Sequence, residues 1–218
     1  RNAPDPGPWL PARDLAGQRV WVSADAVLLD YSNRDTGVPR ALADTNGAAA
    51  GATDRQAQSL ALLELIERDA TGRWWYGQRS RSGLDISRLS DVGKDLLQAL
   101  ESRGLTVRLF DITTDLCVPV VAAVCADKNA SPVSVGFAAA PEFANAAIKA
   151  LCEMAQMRLL FELKGSRQGL SRWKDEVSLD TAPLSHKIPG GPRYTEFANS
   201  RIAERLKEAG VRIAFVNR

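Results

Sequence analysis

Apolar positions follow two periods along this chain. From Asp54 onward, Leu60, Leu62, Leu63, Leu65, Ile66 and Ala70 recur at helical spacing, which predicts one long helix starting at Thr53 or Asp54 and ending near Gln78. Residues 87–103 repeat in the same way and stop at Gly104, a favoured residue just past a helix end. Ala144 to Lys164 and Thr195 to Glu208 predict two more helices. Shorter apolar or alternating runs predict strands at Arg19–Val22, Ala26–Tyr31, Leu105–Asp111, Val118–Ala126, Val133–Gly136 and Val211–Val216. Residues 1–17 are Pro-rich and read as irregular, and Arg34 to Arg40 as a loop. The stretch 165–192, with Gly169, Pro183, Pro189, Gly190 and Gly191, reads as a flexible excursion. Strands and helices in mixed order predict an α/β (α+β mixed) class, a mixed sheet with helices packed on it.

Composition narrows the chemistry. The 218 residues fit one domain or one and a half, and 45% hydrophobic residues can bury a sizeable core. A formal net charge of +2 gives no reason to expect nucleic acid or an anionic membrane as partner. No apolar run reaches the length of a membrane span, and no signal peptide is visible. Cys117, Cys125 and Cys152 lack metal-site or redox spacing and read as small buried residues in a reducing cytoplasm. The single histidine, His186, lies in a Pro/Gly-rich loop, which argues against a His-based nucleophile or metal cluster.

Two features carry candidate chemistry. Gly47 and Gly51 form a flexible loop running into the first long helix, where backbone N–H groups and the helix dipole suit a phosphate. Further along, Glu64 and Glu67 share one helix face inside an apolar run. Such a pair is either a solvated face or a set of oxygen ligands for a hard cation. The pattern then recurs: Gly136 lies seventeen residues before Glu153, as Gly47 does before Glu64. Ala57, Ala61 and Leu62 correspond to Ala146, Ala150 and Leu151, and Glu67 to Gln156. Either two similar amphipathic helices pack on one sheet, or two related Gly-loop–helix units converge on one polar site. Trp74 and Trp75 read as core packing or as a peptide-binding wall. Asp111-Ile-Thr-Thr-Asp115 reads as strand-end turn chemistry. The basic run Arg73, Arg79, Arg81 and Arg88 reads as a solvated face or as a surface for an acidic peptide or partner.

In order along the chain, Trp9–Gly17 with Val20–Asp25, Asn46–Gly51, Leu63–Ala70 with Trp74-Trp75, Asp111–Asp115 with Val118–Val121, Gly136-Phe-Ala and Ala150–Gln156 resemble the YcaO-domain family. The resemblance covers most of residues 9–163. It implies a YcaO-like fold with ATP and Mg2+ as cofactors, used to phosphorylate a peptide backbone amide. Attack by a Cys, Ser or Thr side chain then gives an azoline, and other members install thioamides or amidines. It implies Glu64, Glu67 and Glu153 as metal ligands, with Gly47, Gly51, Arg68, Lys149 and Gln156 on the nucleotide. Implied partners are a precursor peptide and a leader-peptide-binding or TfuA-type companion, with a homodimer left open. Ala49 and Ala52 stand where the family has polar nucleotide contacts. The family also has a further Gly-loop and Glu-x-x-Glu helix upstream, so residues 1–218 are expected to be a partial domain without that N-terminal unit or the usual C-terminal tail. The rival expectation is a non-catalytic YcaO-like scaffold or regulatory subunit.

Overall fold

Every strand pairing in the computed structural model is antiparallel among the described residues, which are 9–29, 43–77, 81, 83–127, 134–164 and 214–216. The expected loop 34–40, the excursion 165–192, the helix 195–208 and His186 lie outside them. The chain divides into two units, residues 1–62 with 198–218, and residues 63–197.

The first unit holds strands β1 (Trp9–Asp14) and β2 (Arg19–Ser23) and the start of helix α1 (Asp54–Trp75). A later strand pairs with the outer side of β1 at Arg13 and Asp14. The hairpin turn is built by Asp14, whose Oδ1 accepts the N–H groups of Ala16 and Gln18 at 2.9 and 2.8 Å, with Gly17 at φ 77°. Residues 9–14 were expected to be irregular because of their prolines. Among the described residues β1 has only β2 beside it at Pro11, so no described neighbour needs its missing N–H. Of the strand expected over Ala26–Tyr31, the described residues 26–29 form none. Ala24–Ala26 instead form a 3-10 turn, and the N–H groups of Val27 and Leu28 bond back to the Ala24 carbonyl at 3.2 and 2.8 Å.

The second unit is a sheet with helices on it. Helix α2 (Asp91–Ser102) starts at Ser90, whose hydroxyl accepts the Gly93 N–H, and ends at Gly104 with φ 78°. It is shorter than the helix expected over 87–103, because residues 86–88 form a separate 3-10 turn. Strands β3 (Leu105–Asp111), β4 (Val120–Asp127) and β5 (Ser134–Ala139) follow in spatial order, with Leu109 and Gly136 both opposite Ala123. Helix α3 (Phe143–Lys164) lies across β4 and β5, and the chain's last described strand is β6 (Ala214–Phe215), the one paired with β1.

The core between α2, α3 and the sheet joins Leu97, Leu100, Val107, Leu109, Val121 and Ala123 to Ala146, Ala150, Leu151 and Met154. Small α3 residues let the helix come close to β5. Gly136 is where it comes closest: an added Cβ would collide with the Ala150 carbonyl oxygen and the Met154 N, and lie 2.9 Å from Met154 Cα. On the other face of the sheet, Trp74 of α1 packs against Phe110 and Phe137, ring centroids 5.7 and 6.1 Å away. These contacts give Trp74 the core-packing role that the sequence left open, and they do not exclude the other.

The glycines make a testable pair. Gly136→Ala should destabilise by about 1–3 kcal/mol through overpacking against the α3 backbone. Gly72→Ala, whose Cβ meets nothing within 4 Å, should stabilise by about 0.5–1 kcal/mol. Thermal denaturation of the two variants checks this, and shifts of the same sign would contradict the packing described.

Candidate functional site

The two long helices are the same length, and each end of α3 lies 89 positions after the matching end of α1. The first backbone bonds match too, Ala57 N to Thr53 O and Ala146 N to Glu142 O, both 3.0 Å. The repeat expected from spacing is therefore real in the helices. It is not real in the glycines. Gly47 sits in a turn at φ 78°, whereas Gly136 is buried inside β5 and is there for packing.

Side chains on the two helices meet at the outer edge of β5. The Ala140 N–H bonds to the Pro119 carbonyl on the β4 side, so by the alternation of an antiparallel ladder the N–H groups of Phe137 and Ala139 point away from β4. Glu153 Oε2 accepts the Phe137 N–H at 2.7 Å, and Glu67 Oε2 accepts the Ala139 N–H at 3.3 Å. Arg68 lies 3.6 Å from Glu64 and 3.7 Å from Glu67, loose ion pairs on a side chain that is 45% exposed. Burial pushes the Glu67 carboxyl up to about 7. Arg68 opposes that rise, Glu153 adds to it, the Ala139 N–H opposes it, and Glu64 adds to it.

Three carboxylates thus act on one another with one half-exposed guanidinium among them. That imbalance, and all-oxygen donors, fit a hard divalent cation such as Mg2+. Glu67 and Glu153 each place one oxygen on β5; the other oxygen of Glu67 is the one 3.7 Å from Arg68. As the side chains stand, no group of three or more His, Cys, Asp or Glu among the described residues is arranged to hold a metal, so ligation requires these carboxylates to turn.

The remaining expected residues are more dispersed. Lys149 is exposed and forms no ion pair among the described residues. Gln156 is exposed and lines a cavity of about 460 Å3 with Leu100, Arg103 and Met154. Gly47 and Gly51 belong to the first unit. There the N–H groups of Asn46, Ala48 and Ala52 are already bonded, to Asp44, Thr45 and Gln56, so this loop is less bare than expected. Gly51 is required by close approach, since a Cβ would lie 2.6 Å from Ala57 N. The cysteines also differ from expectation: Cys125 is buried, but Cys117 is half-buried and Cys152 exposed. The Asp111–Asp115 segment is turn chemistry as expected, with Asp111 Oδ1 accepting from Thr113 N at 3.1 Å and Thr114 Oγ1 from Leu116 N at 3.4 Å. Sequence reading missed the β5 N–H groups, which carry no residue-type signal.

The family described as YcaO cyclodehydratase, ATP- and Mg2+-binding, matches residues 2–215. This chain belongs to the YcaO family. An uncharacterized protein in the tfuA 3′ region of Rhizobium leguminosarum bv. trifolii is 33% identical over 192 residues, 78% of this chain and 44% of its own length. A solved YcaO from Methanopyrus kandleri, bound with AMPPCP and Mg2+, matches 94% of this chain and 58% of its own with TM-score 0.68 and 26% identity. The heterocyclase TruD, 24% identical, shares the fold over 94% of this chain and 31% of its own with TM-score 0.77. The YcaO chain described here spans 44% of the curated relatives it matches. No helix among its described residues is long and apolar enough to cross a membrane.

The raised Glu67 carboxyl fixes a pH dependence. The folded state holds this proton up to about 7, and the unfolded state loses it near 4.5. Its contribution to stability is full below 4.5 and is lost as pH rises to about 7, on the order of 3 kcal/mol at most. Glu67→Gln should flatten that slope and raise the melting temperature above pH 7, while still accepting the Ala139 N–H. Melting curves between pH 4 and 8 check this; an unchanged slope in the variant would contradict it.

Proposed function

We propose that this chain carries part of a site for ATP- and Mg2+-dependent activation of a peptide backbone amide, leading to azoline or thioamide formation in a ribosomally made peptide. The observation that supports it best is the set of three glutamates from two matched helices, with Glu67 held near neutrality by burial and by its acidic neighbours. A family described as ATP- and Mg2+-binding, and a relative solved with AMPPCP and Mg2+, support the same reading.

Glu64, Glu67 and Glu153 would hold Mg2+, and Arg68 would balance charge on the phosphates beside them. When bound, the Mg-nucleotide supplies the phosphoryl group taken up by the amide oxygen. Lys149, which is exposed and long-stemmed, and Gln156 would reach the nucleotide by rotating their side chains. Gly47 and Gly51 would let backbone approach a phosphate, using the N–H groups of residues 49–51, which have no bond among the described residues. The chain's own contribution is positioning and electrostatic stabilisation, with no protein nucleophile needed. A precursor peptide and a TfuA-type or leader-peptide-binding companion complete the proposal, the former type supported by the relative in a tfuA region.

Isothermal titration of the chain with AMPPCP tests this directly. Binding should require Mg2+ and fall at least about tenfold in Glu64→Gln and Glu67→Gln, as expected when an ion loses a charged ligand. Mg2+-independent binding, or binding that survives both changes, would remove the assignment. No binding at all in the unmodified chain would mean that the site needs the further Gly-loop and Glu-x-x-Glu helix of the family, or that the protein is a non-catalytic scaffold; the same titration on the full-length gene product separates the two.

A further inference from the structure

A second cavity of about 260 Å3 lies along α1, one to two turns beyond Glu67, and the site above does not use it. Its floor is Ala70 and Ile112, each 1% exposed, and the Trp74 indole forms a wall. The rim is rich in donors. Arg73 is already neutralised, bridging Asp69 at 3.1 Å and Asp115 at 2.9 Å. Arg81 is not: its Nε is buried with no hydrogen-bond partner among the described residues. A buried guanidinium N–H without an acceptor is costly, and a ligand that supplies one relieves the cost. Thr113 Oγ1 accepts the Val120 N–H at 3.1 Å and Thr114 Oγ1 the Leu116 N–H at 3.4 Å, so each hydroxyl still has its own proton to donate.

We infer that this cavity takes the carboxylate of an acidic side chain, with its methylene stem against Trp74 and Ile112. The volume is below that of pockets holding whole small molecules, roughly 300–1,000 Å3, and suits a single side chain. The same donors could serve a free phosphate, but the apolar floor and indole wall match a carboxylate on a carbon stem. That the side chain belongs to the peptide being modified rests on the proposed function; the preference for a carboxylate does not.

The test is an NMR titration of the full chain, without nucleotide or Mg2+, following the Trp74 indole N–H. The probes are the blocked tripeptides Ala-Glu-Ala and Ala-Gln-Ala, and inorganic phosphate. The Glu peptide should bind about tenfold more tightly than the Gln peptide, the gain of one charge-assisted hydrogen bond. Arg81→Met should remove that difference and Arg81→Lys restore part of it, while Glu67→Gln should leave it intact. Equal affinity for the two peptides, no response to either, or an unchanged preference in Arg81→Met would overturn the inference. Phosphate binding as tightly as the Glu peptide would overturn it in favour of a phosphate site. If Arg81→Met fails to fold, the comparison of the two peptides on the unmodified chain still decides. A failed nucleotide titration alongside a Glu preference would remove the proposed function and leave this site standing.

Discussion

The outer edge of β5 is the constraint on which the second unit depends. An edge strand leaves a row of N–H groups without partners, and here two of them, on Phe137 and Ala139, are met by Glu153 and Glu67. These carboxylates come from helices 89 positions apart in sequence and on different sides of the strand's neighbours. Fixing both to consecutive outward N–H groups sets the spacing between them. It also brings Glu64 and Arg68 along, because they lie within one turn of Glu67 on α1.

Stability and chemistry pull against each other at this edge. Burial raises the proton affinity of Glu67 and disfavours its charged form; Arg68 opposes this, and the neighbouring Glu153 and Glu64 add to it. Replacing one of these carboxylates with an amide would relieve the repulsion at no cost in volume; the matching position of α3 carries the amide Gln156. Retaining charge at Glu67 suits an added cation, and the packing beneath tolerates it. Gly136 and the small residues of α3 let helix and strand approach until a glutamate can reach a backbone N–H. Trp74 anchors the far end of α1 on the opposite face.

Much of this was legible in the sequence. Helical periodicity located α1 and α3 within a few residues, and the seventeen-residue spacing from each glycine pointed to matched units. Periodicity works here because each helix buries apolar positions at helical spacing, Leu62, Leu63, Ile66 and Ala70 in α1 and Ala146, Ala147, Ala150, Leu151 and Met154 in α3. What it misread follows from effects outside that pattern. Pro11 hid β1, since whether a strand needs the N–H that proline lacks depends on its neighbours and not on residue type. Ala26–Leu29 had the apolar content of a strand, but the Val27 and Leu28 N–H groups bond back to the Ala24 carbonyl instead of to a neighbouring strand. Gly136 looked like a loop glycine because spacing cannot tell a turn from a close approach. The donor-rich cavity at Arg81 could not be read either, since it depends on which guanidinium N–H finds an acceptor among the described residues and which does not.

A carbon-13 NMR titration of the glutamate side-chain carboxyls would test the central claim, that β5 and its two helices hold Glu67 within the field of its acidic neighbours. One carboxyl should titrate near 7, be missing in Glu67→Gln, and move down toward the ordinary glutamate range when Mg2+ and AMPPCP are added together. A Glu67 carboxyl that titrates near 4.5 without ligand, or that is unmoved by Mg2+ and nucleotide, would contradict it.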